Sequence, residues 1–378
     1  MANKLAMKDI VTQRLKRQFR LGNAVRCLFF AWDDHSQKVI VISPKKQRQV
    51  KLFLLLSSAY VLLQLWSVFR SELGIVGKTE SSLFITLYVI CLMLWWDWKV
   101  DTAVVGLLNY IISKESKGIP SNFTNLLYTF FQMMHITNWI LPIGEIVLVL
   151  YSPCQVPLLG SVFMPLDQCA KLADSSTTIS YAQFALRLLL SLVEAVLLTQ
   201  VFIGGTFYDV DGLLTGISNF VQECNLAFRK TEIDAYRKLQ VVEKLLNDCV
   251  KGRIFPIVAF TLPALQVMTC FAVTKLHDKI GLSSLIIYLC LYIDVLIFNM
   301  LVFTGAGRVY LFSQTWIQKL AKTFPFSKLK TKTLKSFKPL RVEFGSNFVD
   351  PLTPLVIQHF CVNQTVSLLV LTSKSTKL

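Results

Sequence analysis

Seven long apolar runs, separated by more polar segments, constrain this chain more than any other feature of its sequence. They cover approximately residues 52–69, 82–98, 125–151, 181–207, 254–274, 282–307 and 351–373. A helix of about 20 apolar residues crosses the roughly 30 Å of bilayer hydrocarbon. At 53% hydrophobic and 16% charged residues, the chain is too apolar for an ordinary soluble protein. We therefore expect an all-α, multi-pass membrane protein with seven transmembrane helices.

The distribution of basic residues predicts that the N-terminus lies inside. With that orientation the inner segments hold 31 of the 39 lysines and arginines, and cytoplasmic segments are the basic ones. The leader, residues 1–51, is strongly basic, and we expect it to lie on anionic lipid with residues 24–32 as its apolar surface. Because this charge runs directly into a membrane span, we expect no nucleic-acid partner.

Two inner segments are predicted to be helical. Apolar residues recur at helical spacing in residues 208–253 and again in residues 308–325, so both segments are expected to form cytoplasmic helices. Their apolar faces can pack on one another or on a neighbouring subunit. Within the second span, Asp97, Lys99 and Asp101 interrupt the helical pattern, and we expect the helix to continue past them to residue 112.

The sequence contains no catalytic signature. It has no Gly-rich phosphate loop, no GxSxG and no HExxH, and its nine cysteines include no CxxC and no zinc-type Cys/His spacing. We therefore expect no enzyme activity, no metal and no cofactor. Cys154 and Cys169 share one long outer loop and could form a disulfide if that loop is extracellular.

Ionisable residues inside the spans are the better functional candidates, because each costs several kcal/mol to bury unpaired. Glu145 and Arg187 fall at similar depth near the outer ends of their helices, which predicts an ion pair between them. Aromatic residues in neighbouring spans could add the walls of a pocket or serve only as packing. The candidate ligand pocket comprises His135, Trp139, Glu145, Arg187, Tyr288, Tyr292 and Asp294.

The last apolar run has an unusual polar pattern. His359, Asn363 and Ser367 recur at i, i+4 and i+8 and so share one helix face, whereas Gln358 and Thr365 lie on another. Polar side chains at membrane depth face a bundle interior or a wet cavity. Interhelical hydrogen bonding and pore lining both remain open, and the candidate pore-lining residues are His359, Asn363, Gln364 and Ser367.

Taken together, these features resemble the arthropod gustatory and odorant receptor superfamily, with the gustatory receptors closest. The similarity rests on the seven spans, the inner helices after the fourth and sixth spans, and the Gly345-Ser346-Asn347-Phe348 element before the last helix. Gustatory receptors tend to end with Thr-Tyr, five apolar residues and Gln-Phe. Here Thr365 and the following apolar run are present, whereas the tyrosine and the Gln-Phe are not.

That resemblance implies a plasma-membrane chemosensory receptor that works as a ligand-gated, non-selective cation channel. It further implies a homo- or hetero-tetramer with the last span lining the pore and the inner helices joining subunits. Its partners would be a small tastant or odorant, membrane lipid and permeating cations. One alternative is a G-protein-coupled-type receptor, but the third span lacks a following Asp-Arg-Tyr and the last lacks NPxxY. The other is a transporter, for which internal repeats are expected and none is seen.

Overall fold

The computed structural model describes residues 7–113, 122–163, 181–228, 233–279, 282–323, 332 and 334–375. The chain is almost entirely helical in these ranges, with two short antiparallel hairpins. The elements in chain order are α1 (Met7–Ala24), β1 (Phe30–Asp33), β2 (Lys38–Val41), α2 (Pro44–Arg70), α3 (Ile75–Trp95), α4 (Thr102–Ser113), α5 (Asn122–Tyr151), α6 (Leu159–Phe163), α7 (Tyr181–Thr206), a π-helix (Phe207–Leu214), α8 (Thr215–Ala227), α9 (Ile233–Val250), α10 (Ile254–Lys275), α11 (Leu282–Thr323), β3 (Glu343–Phe344), β4 (Asn347–Phe348) and α12 (Thr353–Ser375).

The seven predicted spans are confirmed. A helix long and apolar enough to cross a membrane forms at each of the seven apolar runs. These helices are α2, α3, α5, α7 with its continuation through the π-helix and α8, α10, α11 and α12. The protein is therefore a multi-pass membrane protein. Helix α2 begins at Pro44, well before the apolar run. Proline suits this position, since the first turn of a helix does not need its backbone N–H.

The centre of the stretch 24–32 is not a lipid surface, so the expectation is wrong for residues 27–30. Cys27, Leu28, Phe29 and Phe30 are buried in the protein core. Helix α1 and the β1–β2 hairpin fold this stretch against the helix bundle, where the Phe30 ring lies 5.4 Å from that of Phe207. Contact with the protein removes these side chains from both water and lipid.

The prediction that the second span continues past its charges is also wrong. Helix α3 ends at Trp95, and α4 is a separate helix. Asp97 is buried in the break between them, where its carboxylate accepts hydrogen bonds from the Tyr208 hydroxyl at 2.8 Å and the Asp101 backbone at 3.0 Å. These hydrogen bonds satisfy the buried carboxylate.

The two segments predicted to be helical after the fourth and sixth spans are helical in the structure. The fourth span runs through the π-helix into α8, the sixth span continues in α11 to Thr323, and α9 lies between. Their apolar stripes pack on one another within one chain. The Tyr236 ring stacks on Trp316 at 5.0 Å and on Phe337 at 4.7 Å, which joins α9 to α11 and to the segment before β3.

Candidate ligand site and candidate pore helix

A buried cluster of polar side chains lies between four of the membrane helices. The Tyr60 hydroxyl of α2 donates to Glu194 of α7 at 2.5 Å, and the Tyr88 hydroxyl of α3 donates to Glu145 of α5 at 3.1 Å. The two tyrosine rings meet edge to face at 5.7 Å. All four residues are at most 3% exposed. We call Tyr60, Tyr88, Glu145 and Glu194 the polar cluster.

The segment after α5 folds onto this cluster. The backbone N–H of Leu159, the first residue of α6, donates to Glu194 at 2.5 Å. Ser81 of α3 donates to the Val156 carbonyl at 3.0 Å, and the hydroxyls of Ser67 and Ser161 lie 3.1 Å apart. Helix α6 therefore lies against the polar cluster and contacts both α2 and α7.

Hydrogen-bonding capacity in this region is only partly used. Among the described residues, Glu145 Oε2 has no hydrogen-bond partner, and neither polar atom of the Gln64 side chain has one. Gln64 is fully buried one turn from Tyr60 on α2. Buried polar atoms without partners destabilise a fold, so water or a ligand is the usual explanation for them. The region can accept a hydrogen bond at Glu145 and both donate and accept at Gln64.

The predicted ion pair between Glu145 and Arg187 is wrong. Arg187 is buried on α7 as expected, but within the described part of the chain it forms no ion pair with Glu145. The Glu145 carboxylate is instead hydrogen-bonded by Tyr88, and its carboxylate neighbour is Glu194. Sequence alone does not show that these two acidic residues share one region, because the depth of a residue on its helix does not determine the direction that its side chain faces.

The other predicted pocket residues lie apart from the polar cluster. His135 and Trp139 line a groove between α5 and α1, and Asp294 of α11 accepts a hydrogen bond from Thr137 at 3.3 Å. Tyr288 is buried on α11, and Tyr292 is half-buried one turn later. The structure thus brings Glu145 alone into the cluster, and ligand-binding roles for the other residues stay predictions.

Sequence reasoning missed Tyr60, Tyr88 and Gln64. A signal for two of them was present in α2, where buried polar residues recur at helical spacing within an otherwise apolar helix. These residues are Ser57, Tyr60, Gln64 and Ser67.

Cys154 is disulfide-bonded. Cys169 lies outside the described residues, so the pairing of Cys154 with Cys169 stays a prediction.

Helix α12 packs on its own subunit through one narrow face. Only Pro354, Cys361 and Thr365 are buried along its membrane stretch, and they contact α10 and α11. Gln358 lies beside this face and accepts a hydrogen bond from Gln266 at 2.8 Å, while Asn299 donates to Gln266 at 3.0 Å. The face that carries Gln358 and Thr365 is therefore the interhelical one.

The face that carries His359, Asn363 and Ser367 points away from the subunit. All three side chains are exposed, and Asn363 hydrogen-bonds His359 at 2.9 Å. At 100° per residue, Asn363 lies about 160° around the helix from Thr365, which is nearly opposite. Gln364 is exposed as well, but about 100° from Asn363. We call His359, Asn363 and Ser367 the polar stripe.

Comparison with known proteins identifies solved structures with a similar fold. No protein-family profile and no curated protein matches the sequence. Two similar solved structures are of the insect olfactory receptor OR5 from Machilis hrabei, one of them in complex with eugenol. They share 11% and 12% sequence identity with this chain at a TM-score of 0.63, covering 96% of this chain and 99% of theirs. The chain therefore has the seven-helix fold of an insect olfactory receptor over nearly its whole length.

Proposed function

We propose that this protein is a chemosensory receptor of the plasma membrane, built from subunits that assemble around α12 into a ligand-gated cation channel. The single observation that carries the proposal is the position of the polar stripe on α12. Only 11% of the apolar stretch of this helix is buried within the chain, against 50% for α10. Polar side chains that face away from their own bundle at membrane depth need water or a second protein surface.

A homo- or hetero-tetramer around α12 supplies both kinds of surface. The polar stripe would face a central water-filled path for cations. The exposed apolar side chains on the flanks of α12 would meet the neighbouring subunits or lipid, and they include Leu355, Val362, Val366 and Leu371. Apolar side chains between subunits exclude water from the contact, which confines the wet path to the axis.

The polar cluster is the site that we propose for the ligand. It is closed by α6, it has aromatic rings beside two carboxyl groups, and it contains the buried polar atoms that lack described partners. Such a region suits a small, largely apolar molecule with one hydroxyl group. Arg187, Asp294, Tyr288 and Tyr292 remain candidates for an outer part of the same site.

Gating requires only that the ligand binds the open state of the channel more tightly than the closed state. A ligand that binds the polar cluster more tightly in the open state shifts the population of channels towards that state. The cluster joins α2, α3, α5 and α7, so a ligand that separates or tightens these helices acts on α10, which packs against α3, and through α10 on α12.

The ligand site is tested by conservative removal of one hydroxyl. We expect Tyr88→Phe to raise the half-maximal ligand concentration at least about fivefold, since a buried polar group that loses its hydrogen-bond partner costs roughly 1–3 kcal/mol. The readout is ligand-evoked calcium entry into cells that express the protein, with eugenol, which is bound in one similar structure, as the first compound.

The matched control is Tyr110→Phe. The Tyr110 hydroxyl donates to Glu223 at 3.0 Å, so this variant loses the same chemical contact on α4, away from the polar cluster. Equal shifts for Tyr88→Phe and Tyr110→Phe would contradict the assignment of the ligand to the polar cluster.

A further inference from the structure

A groove separates helix α1 from the membrane-spanning helix α5. Its volume is about 410 Å³, and the thirteen described residues that line it come from these two helices alone. The wall from α1 presents Gln13, Arg17, Arg20 and Ala24, and the wall from α5 presents Tyr128, Gln132, His135 and Trp139. Both sets recur at i, i+4, i+7 and i+11, so each wall is one continuous helix face.

The positive charge of this groove is not balanced by its own lining. Three arginines line it, and none of the described lining residues is acidic. Arg14 is paired with Asp211 at 2.6 Å, which accounts for one charge. Arg17 and Arg20 are exposed and form no ion pair with a described residue. The groove therefore carries two guanidinium groups that can bind an anion.

The wall formed by α5 can contact the uncharged parts of an amphiphilic molecule whose anionic group is bound by the arginines. Trp139 and Tyr128 are 53% and 40% exposed, and Gln132 and His135 offer hydrogen-bonding groups beside them. Exposed Ile136 and Ile140 continue from this wall over the outer surface of α5. A head group in the groove would therefore leave its acyl chains on an apolar helix surface, as a bilayer lipid requires.

We propose that this groove binds the head group of a net-anionic phospholipid. Arg17 and Arg20 hold the phosphate, because guanidinium groups bind phosphate oxygens in a two-pronged geometry. The aromatic and amide side chains of α5 contact the remainder of the head group. The basic leader predicts that this side of the protein faces the cytoplasmic leaflet, where anionic lipids are concentrated.

The lipid would hold α1 against the bundle. Helix α1 contacts the bundle through its opposite face, where Val11, Leu15 and Phe19 are buried. Bound lipid adds a second attachment on the exposed face. Occupancy of the groove therefore couples the composition of the inner leaflet to the position of α1, and through Asp211 to the π-helix.

The test is a lipid titration of the detergent-purified full chain, followed by native mass spectrometry. We expect dioleoyl phosphatidylserine to bind at least tenfold more tightly than dioleoyl phosphatidylcholine, which has a phosphate but no net charge. We expect the double variant Arg17→Gln, Arg20→Gln to lose this preference, and Arg17→Lys, Arg20→Lys to retain most of it.

The matched control neutralises two exposed basic residues of α9. The double variant Arg237→Gln, Lys238→Gln changes the net charge equally outside the groove and should bind phosphatidylserine as the unmodified chain does. Melting temperatures of all variants check that each is folded. Retained preference in the double glutamine variant of α1 would overturn the proposal. Complete displacement of the lipid by millimolar inorganic phosphate would overturn it too, because the groove would then be a site for a free anion.

Discussion

A buried ion pair joins helix α1 to the rest of the molecule. Arg14 donates to Asp211 at 2.6 Å and to the Phe131 carbonyl at 3.2 Å, and its guanidinium lies 4.7 Å from the centre of the Phe131 ring. The side chains of Arg14 and Asp211 are 10% and 1% exposed. Three parts of the fold, α1, α5 and the π-helix, therefore meet at one guanidinium group.

We expect Arg14→Ala to destabilise the protein by about 3–5 kcal/mol, because it leaves the Asp211 carboxylate buried without its partner. Thermal unfolding of the detergent-purified protein measures the change as a lower melting temperature. The control is Arg237→Ala, which breaks an exposed pair with Asp234 and should cost at most about 1 kcal/mol. Equal melting temperatures for Arg14→Ala and the unmodified chain would contradict the role of this pair.

Glu243 of α9 makes the stability of the protein depend on pH. Burial raises the pKa of its carboxyl from 4.5 to about 7, with nearby Glu343 adding to the rise and the Arg341 backbone N–H opposing it. A carboxyl with a raised pKa binds its proton more tightly in the folded protein. The free energy of unfolding therefore decreases as pH rises from about 4.5 to about 7 through this group.

We expect Glu243→Gln to flatten the decrease in melting temperature over that pH range, since an amide can still accept the hydrogen bond from Arg341 and does not titrate. Melting temperatures at intervals from pH 5 to about pH 8 measure the slope. Asp234→Asn on the same helix is the control, because Asp234 is exposed. An unchanged slope in Glu243→Gln would show that another group dominates.

At the level of helices and strands, the sequence predicted which segments are helical but not every place where helices end or where their faces point. Apolar runs identified all seven spans because membrane length is a strong requirement. The break after Trp95 depends on hydrogen bonds from Tyr208, which is distant in sequence. Similarly, the burial of Phe29 and Phe30 depends on a hairpin that docks against the bundle, so a local apolar pattern could not separate lipid contact from protein contact.

The contact between α3 and α7 depends on glycine. A methyl group at Gly205 would lie 2.8 Å from the Cys91 Cα and 3.0 Å from its carbonyl oxygen. We expect Gly205→Ala to lower the melting temperature, since overpacking against backbone costs about 1–3 kcal/mol. The control is Gly144→Ala on α5, where no such contact exists and alanine should stabilise the helix by up to about 1 kcal/mol. A Gly205→Ala protein as stable as Gly144→Ala would contradict this packing.

At the level of the whole molecule, one chain leaves its own last helix incompletely covered. The sequence identified the polar stripe of α12 and left two interpretations open. In the structure Gln358 and Thr365 point into the subunit, whereas His359, Asn363 and Ser367 point away from it. Interhelical hydrogen bonding therefore applies to the first face, and pore lining stays a prediction for the second. Sequence could not make that distinction, because the direction of a helix face depends on which neighbours it packs against. The polar cluster was predicted less well, since Tyr60 and Tyr88 join Glu145 only through tertiary packing.

The central claim, that the polar stripe of α12 lines a water-filled path, is tested most directly by thiol accessibility. Asn363→Cys and Val362→Cys would each be treated, in membranes opened to both faces, with a charged thiol reagent that does not enter lipid, and compared with the unmodified chain. Both positions are exposed in a single subunit, but they point about 100° apart. We predict that Asn363→Cys reacts at least tenfold faster than Val362→Cys. Equal rates, or no reaction at Asn363→Cys, would contradict the proposed pore.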